Sequence, residues 1–354
     1  MGVDFHSVLG APDNPGGLAW RALSSAQQEF IKALPKAEVH AHLNGCIPLA
    51  CLQELARDHA FNGGSMTAEV QRGLAVLETG VVLSEISDFF GLFPAIYALT
   101  STPPAVKKAT QAVLASFLST SPPQCQYIEL RTTPRKTPHM TAEEYLSTVL
   151  DVIESFEGRA ALILSVDRRM SVDDVSRYVE LAKTLKREGR AIVGVDLCGD
   201  PLTGNMEDFA PILASVHDAG LKLTLHIAET PQNDEPDTLT LLSAKPDRLG
   251  HATFLTPAAQ AIVRREKIPV EICLTSNVLC KTVPSLQDHH ISDLLLHQHP
   301  VVICTDDTLP FRNSLFEEYA LLLAPPPLGL GFAEVEVERI AREGMGTTFR
   351  STKD

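Results

Sequence analysis

The chain has 354 residues, 44% of them hydrophobic, which is material for one large core or two modest ones; a single β/α barrel commonly takes about 250 residues or more. A formal net charge of −14 and a pI near 5.3 argue against nucleic acid or an anionic membrane as partner, and a small anionic ligand would need a local basic cluster. No apolar stretch reaches bilayer length, the N-terminus has no signal-peptide core, and His6 spoils a myristoylation match at Met1-Gly2.

Residues 1 to about 20, rich in Gly, Pro and Asn, read as a loose arm. The helix SSAQQEFIKAL follows, capped by Ser24 or Ser25. The arm and this helix are taken as 1–33, and the main domain as 34–354. Eight short apolar runs then recur, each ending in a polar cluster: 37–43, 127–133, 160–167, 191–200, 221–229, 247–254, 269–277 and 300–307. Such runs suit strands buried on both faces. Helical stretches lie between them, including TAEEYLSTVLDVIESF, SVDDVSRYVELAKTLKREG and MEDFAPILASVHDAG. Eight alternations predict an α/β fold, a (β/α)8 TIM barrel. The long segment 47–125 reads as a helical insertion after strand one, a cap over the barrel mouth. PPPLGLG at 325–331 reads as a linker between two terminal helices, and the chain stops soon afterwards, so the closure of the barrel bottom looks lean.

The polar clusters fall at the C-terminal ends of the strands, where β/α barrels build active sites. Strand one gives His40-x-His42, two imidazoles on one face. Strand five gives His226-x-x-Glu229, strand six His251, and strand eight Asp306-Asp307. Each alone is weak, since a lone histidine after an apolar run is more often a core residue and a lone DD a helix cap. Together they concentrate four histidines and three carboxylates on four strand ends, in a chain with twelve histidines. Three imidazoles and a carboxylate suit one zinc ion, held by His40, His42, His226 and Asp306. Glu229 is placed to shuttle a proton to or from the water beside it. His289-His290 and His297-x-His299 are read as surface or packing residues. The seven cysteines, an odd number with no C-x-x-C pair, read as buried thiols in a reducing, cytoplasmic compartment. Metalloprotease, serine-hydrolase and P-loop motifs are absent, as is the cytidine-deaminase pattern.

LPKAEVHAHLNG, DLCGD, HIAET, RLGHATF, CLTSN and ICTDD occur in this order over about residues 33–320. In this the chain resembles the adenosine and AMP deaminase family. HAHLNG, YIELRTTPRK, SVDRR and CLTSNV…TVPS…HH resemble its adenosine-deaminase-like subgroup, described as N6-methyl-AMP deaminases. The resemblance implies a zinc-dependent, metal-dependent hydrolase with one metal, since Leu197-Cys198-Gly199 offers no lysine for a bridging carbamate. It implies that Glu229 protonates purine N1, that His251 orients the attacking hydroxide, and that Asp307 and the Gly199 backbone hold the purine. His42, Asn44, Thr133, Arg135, Lys136 and Asp167 would complete the substrate site. Asn44 stands where adenosine deaminases carry Asp, and a neutral amide would tolerate a 5′-phosphate. Arg135 and Lys136 would supply charge to it, whereas Arg168 and Arg169 read as structural. Tyr97 stands where a His is expected and carries no charge. The implied reaction is N6-methyl-AMP plus water to IMP plus methylamine, by a monomer acting on a small-molecule purine nucleotide. The alternatives are an adenosine deaminase acting on the free nucleoside, or a catalytically inactive purine-binding barrel.

Overall fold

In a computed structural model describing residues 14–61, 67–79, 91 and 93–350, the eight apolar runs form eight strands. These are β1 (Ala37–His42), β2 (Tyr127–Thr132), β3 (Ala160–Asp167), β4 (Ile192–Cys198), β5 (Lys222–Ile227), β6 (Arg248–His251), β7 (Val270–Ile272) and β8 (Val301–Ile303). They pair in sequence order, each parallel to the next. Nearly every strand residue is buried, because helices cover the sheet outside and side chains fill it inside. The expected helices recur with their caps: Ala142–Glu154 behind Thr141 and Val172–Arg187 behind Ser171. Met206–Ala214 continues as a 3-10 turn, Ser215–Ala219, that stops at left-handed Gly220.

The last strands are shorter than their apolar runs. The run 269–277 is a strand only over Val270–Ile272 and turns helical at Leu274–Leu279. The run 300–307 leaves the sheet after Ile303, and 247–254 after His251. The chain exits through left-handed backbone at Ala228 (φ 49°), His251 (φ 58°), Ala252 (φ 50°) and Asp306 (φ 61°). None of these is glycine, so each exit costs on the order of 1–3 kcal/mol. That cost turns side chains inward that a continuing strand would alternate.

Two further expectations change. Residues 15–22 are a helix, Pro15–Ala22, rather than a loose arm. Asn14 caps it by accepting from the Gly17 N–H, Pro15 starts it, and Trp20 packs on Phe316 with ring centroids 6.0 Å apart. The barrel bottom is also well closed. Helix Glu334–Met345 packs on β8, and the Phe349 ring centroid lies 3.5 Å from the Arg248 guanidinium. Leu49–Phe61, Ala68–Thr79, Phe93–Leu99 and Pro103–Leu118 form the insertion after β1. Of the segment EISDFFGLFPAIYAL, which also reads as helical, residues 85–90 and 92 lie outside the described residues.

The seam between β8 and β1 is closed by a side chain. The Glu38 carboxylate accepts from the His40 N–H (2.8 Å) and from the N–H and hydroxyl of Thr305 (both 2.9 Å). Glu38 is fully buried, and burial pushes its pKa to about 7 despite these donors. Replacing it would strand three buried donors, each worth about 1–3 kcal/mol when unsatisfied. Glu38→Ala is therefore expected to lower unfolding free energy by about 3 kcal/mol or more, read as a lower midpoint in urea at unchanged slope.

Candidate active site

Each strand contributes side chains at alternate positions, so Glu38, His40 and His42 on β1 share one face, as do Glu129 and Arg131 on β2 and Thr224 and His226 on β5. At the C-terminal end of the barrel the imidazoles converge. His42 Nε2 lies 3.2 Å from His226 Nε2, and 3.7 Å from Asp306 Oδ1. His40 Nε2 lies 3.9 Å from Asp306 Oδ1 and has no hydrogen-bond partner, although it is buried. Ligand atoms of His40, His42 and Asp306, and of His40, His226 and His251, lie within 4.8 Å of one another. Gly250 makes room for this, since a Cβ there would come within 2.8 Å of the His40 ring.

A second set of groups explains why nitrogen lone pairs face the centre. His40 Nδ1 bonds Glu271 at 2.5 Å, and His226 Nδ1 bonds Asp196 and the Leu197 carbonyl at 3.0 Å each. Hydrogens held at Nδ1 leave both Nε2 atoms as acceptors, the form in which imidazole binds a cation. Burial, then the neighbouring Arg131 and His226, hold His40 well below its ordinary pKa; burial, then His226 and Arg131, do the same for His42. Burial also opposes charge on His226, but Asp196 outweighs it and raises His226 to about 9. A cation at Nε2 would take the place of that second proton. An orphaned buried nitrogen, convergent Nε2 atoms and a carboxylate are a donor set that fits a divalent metal.

Arg131 carries the charges behind these contacts. It is fully buried, with Nη2 at 2.8 Å from Glu271 and Nη1 at 3.3 Å from Asp196. Arg248 joins from the other side, 2.7 Å from both Glu271 and Glu129. Burial alone would raise both acids that hold the imidazoles. His226 and Arg131 instead bring Asp196 to about 2, while Arg131, Arg248 and His40 hold Glu271 well below its usual range. Ser276 donates to Asp306 Oδ2 at 2.7 Å and aims that carboxylate.

The acid–base candidates lie beside the metal candidates. His251 Nε2 is 3.8 Å from Glu229 Oε2 and 3.9 Å from Asp306 Oδ2. Burial raises Glu229 to about 7 and lowers His251 to about 3, so each favours its neutral form. His290 donates to the His251 carbonyl at 2.8 Å and supports its left-handed backbone; His289 stacks on His290, His299 bonds the Ile268 carbonyl, and His297 lies at the surface. Asp307 is buried with Oδ1 unpartnered, and burial beside Asp306 pushes its carboxyl well up.

A single cavity above these groups is lined by His42, Asn44, Tyr97, Thr133, Asp167 and Gly199 as well as Glu229, His251, Asp306 and Asp307. Gly199 takes φ +100°, and a Cβ there would strike the Asp167 carboxylate. Asn44 is buried, 3.4 Å from the Tyr145 hydroxyl. Arg135 and Lys136 do not line the cavity. Arg135 donates instead to the carbonyls of Tyr97 (3.1 Å) and Thr100 (2.8 Å), tying the insertion to the barrel, and Lys136 is exposed. Arg169 lines the cavity in a bidentate pair with Asp167, whereas Arg168 is structural, clamping Asp237.

Sequence reasoning passed over Asp196, Glu271, Arg131 and Ser276. A signal existed for the charged ones, because an acid or arginine inside an apolar run buried on both faces must find a partner. Glu271→Gln keeps the size of the side chain but weakens its charge-assisted bonds to His40 and Arg131. Losing a group that holds a metal-facing histidine typically costs about 10–100-fold in metal affinity. Chelator competition on the purified variant is expected to show a loss in that range, with the far-UV circular dichroism of the folded protein retained.

The comparisons with known proteins agree with this geometry. A family model described as adenosine deaminase matches residues 35–354. An Arabidopsis thaliana protein named N6-mAMP deaminase is 34% identical over 91% of this chain and 94% of its own length. A human protein named N6-Methyl-AMP deaminase is 35% identical over 83% of each chain. The solved structure of an Arabidopsis protein called ADAL, complexed with IMP, superposes with a TM-score of 0.81 at 33% identity, covering 92% of this chain and 95% of that one. With its barrel, its convergent His/Asp centre and a family match over nearly its whole length, this chain belongs to the adenosine deaminase family.

Proposed function

We propose that the protein is a zinc-dependent hydrolytic deaminase of purine nucleoside monophosphates, converting N6-methyl-AMP and water to IMP and methylamine. The observation that carries the reading is the pairing of a neutral-leaning acid, Glu229, with His251 across 3.8 Å, beside four convergent metal-ligand candidates. His40, His42, His226 and Asp306 would hold one zinc ion. When bound, zinc would supply a Lewis acid that lowers the pKa of water toward about 7.

The chain's own groups account for the rest. His251, held neutral by burial, can take a hydrogen bond from the attacking water and orient its oxygen toward C6. Glu229, raised to about 7, can place its proton on purine N1 as the C6–O bond forms. That proton removes the cost of negative charge on the ring. The C6–N6 bond then breaks as one of the water's two protons passes to N6, which leaves as methylamine; the other proton returns Glu229 to its acid form, and C6 keeps the oxygen. Asp307, which lines the cavity and whose carboxyl burial pushes toward the protonated form, would donate to purine N7, and the Gly199 N–H would donate to N3. Relatives named as N6-methyl-AMP deaminases, and the IMP complex of one structural neighbour, support the monophosphate.

One observation favours the second reading, a deaminase of the free nucleoside. The arginines lining the cavity, Arg131 and Arg169, are both ion-paired, and Arg135 is spent on backbone carbonyls. The monophosphate reading requires Asn44, Tyr97 and Thr133 to meet the phosphate as neutral donors, Asp167 to accept from the ribose hydroxyls, and Arg135 or Lys136 to turn toward the cavity from their present places. Zinc-loaded protein assayed on N6-methyl-AMP, AMP, N6-methyladenosine and adenosine separates the readings. The expected order places the methylated monophosphate first, and preference for adenosine would overturn it.

Glu229→Gln is expected to lose turnover by about 10²–10⁴-fold while keeping its zinc, because the residue moves a proton and is not a ligand. Zinc content and single-turnover rate, measured together, check this. Asn44→Asp is expected to lower kcat/KM for monophosphates about tenfold more than for free nucleosides, the ratio that isolates a charge facing the phosphate. Equal losses on both would move Asn44 away from the 5′ end.

A further inference from the structure

The two neighbouring carboxylates of strand eight are each followed or braced one helical turn away by an apolar residue. Ser276, which bonds Asp306, begins a turn whose next residue on the same face is Cys280, and the Cys280 N–H bonds the Ser276 carbonyl at 2.8 Å. Asp307 caps the turn Thr308–Phe311, and the Phe311 N–H bonds the Asp307 carbonyl at 3.2 Å. Cys280 and Phe311 pack on each other, both are buried, and both line the cavity. They form an apolar stretch of the cavity wall beside the carboxylates that follow strand eight, apart from the apolar residues Leu43, Phe93 and Pro94 that also line the cavity. Through Ser276 and Asp307 the wall stands one helical turn from both carboxylates that follow strand eight, in the cavity that Glu229 also lines.

Purine geometry says what faces it. On the ring, C6 lies between N1 and the N7 side of the imidazole, so its exocyclic substituent projects between the groups that hold N1 and N7. Resting on the assignment of those edges to Glu229 and Asp307, we propose that Cys280 and Phe311 form the subsite for the N6 substituent, and that they set which N6-alkyl amines the enzyme releases. A methyl group on N6 adds apolar surface without a hydrogen bond to offer. An apolar wall accepts it, and a polar one would give up a bound water to do so. The chemical class that fits is a purine with a small alkylamine at C6. The wall's volume sets the upper size.

The test uses full-length, zinc-loaded protein and compares substrates in pairs. Cys280→Leu fills the subsite, and Cys280→Ala enlarges it. For the first, kcat/KM on N6-methyl-AMP relative to AMP is expected to fall about tenfold, within the range that one methyl group commands in an apolar pocket. For the second, kcat/KM on N6-ethyl-AMP relative to N6-methyl-AMP is expected to rise severalfold. Should Cys280→Leu fail to fold, Cys280→Ala carries the test alone. Ratios within twofold of the unaltered protein, in variants that still turn over AMP, would overturn the subsite. If the unaltered protein instead prefers free nucleosides, the monophosphate reading fails by itself, and the same ratios on N6-alkyladenosines decide the wall. If the purine edges are misassigned, adding Cys280→Leu to the Glu229→Gln variant will change the Kd values of N6-methyl-AMP and AMP by the same factor, which also overturns the proposal.

Discussion

A buried arginine between two buried acids governs this structure. Arg131 lies at the centre of the barrel with Glu271 on one side and Asp196 on the other, and each acid holds the Nδ1 of one metal-facing histidine. Interiors of β/α barrels are commonly filled by branched apolar side chains, so charges here come at a desolvation cost. Replacing such a group by an apolar one need not destabilise a fold, but removing one partner leaves a buried charge uncompensated, at about 3–5 kcal/mol. The network is better understood as orientation than as glue. It keeps a hydrogen on the Nδ1 of His40 and of His226, so that the two Nε2 atoms, rather than the Nδ1 atoms, are left to bind a cation at the same point.

The loops do the complementary work. At the ends of β5, β6 and β8 the chain enters left-handed backbone at Ala228, His251 and Asp306. Strain of this kind persists only where surrounding contacts over-determine it. His290 holds the carbonyl of His251, Ser276 holds the carboxylate of Asp306, and the Cys46 thiol donates to the Asp306 carbonyl at 3.0 Å. The strands thus end early, and the side chains after them turn back over the barrel axis. The metal candidates and the proton-transfer candidates meet because of those exits.

The cavity has two chemically different ends. Near strand eight it is bounded by carboxylates and by the Cys280–Phe311 wall. Toward the insertion it is bounded by Asn44, Tyr97 and Thr133, with Arg135 folded under Tyr97 and its guanidinium 4.7 Å from that ring. In the proposed function the first end would bear on the amine that leaves C6, and the second on the ribose and its 5′ group. A barrel of this kind keeps its chemistry on short strand ends, while specificity rests on longer segments from outside the repeat.

Legible in the residues alone were the eight-fold alternation, the strand ends that carry His40, His42, His226, Glu229, His251, Asp306 and Asp307, and the serine cap of the helix Ser25–Ala33. These are local properties: apolar period, cap chemistry and residue type within a few positions. The N-terminal helix was half legible, since its Asn14-Pro15 start is local but its stability comes from Trp20 meeting Phe316 nearly three hundred residues away. Which charges pair inside the barrel was settled by the folded chain and by nothing shorter. Glu271 and His40 are separated by 231 positions, and Glu38 and Thr305 by 267. Folding likewise turned Arg135 from a free cation into a tie for the insertion. A side chain's residue type says what it can bond. Which partner it meets is set when the strands close into a ring, and that closure is written in no stretch of sequence short enough to read locally.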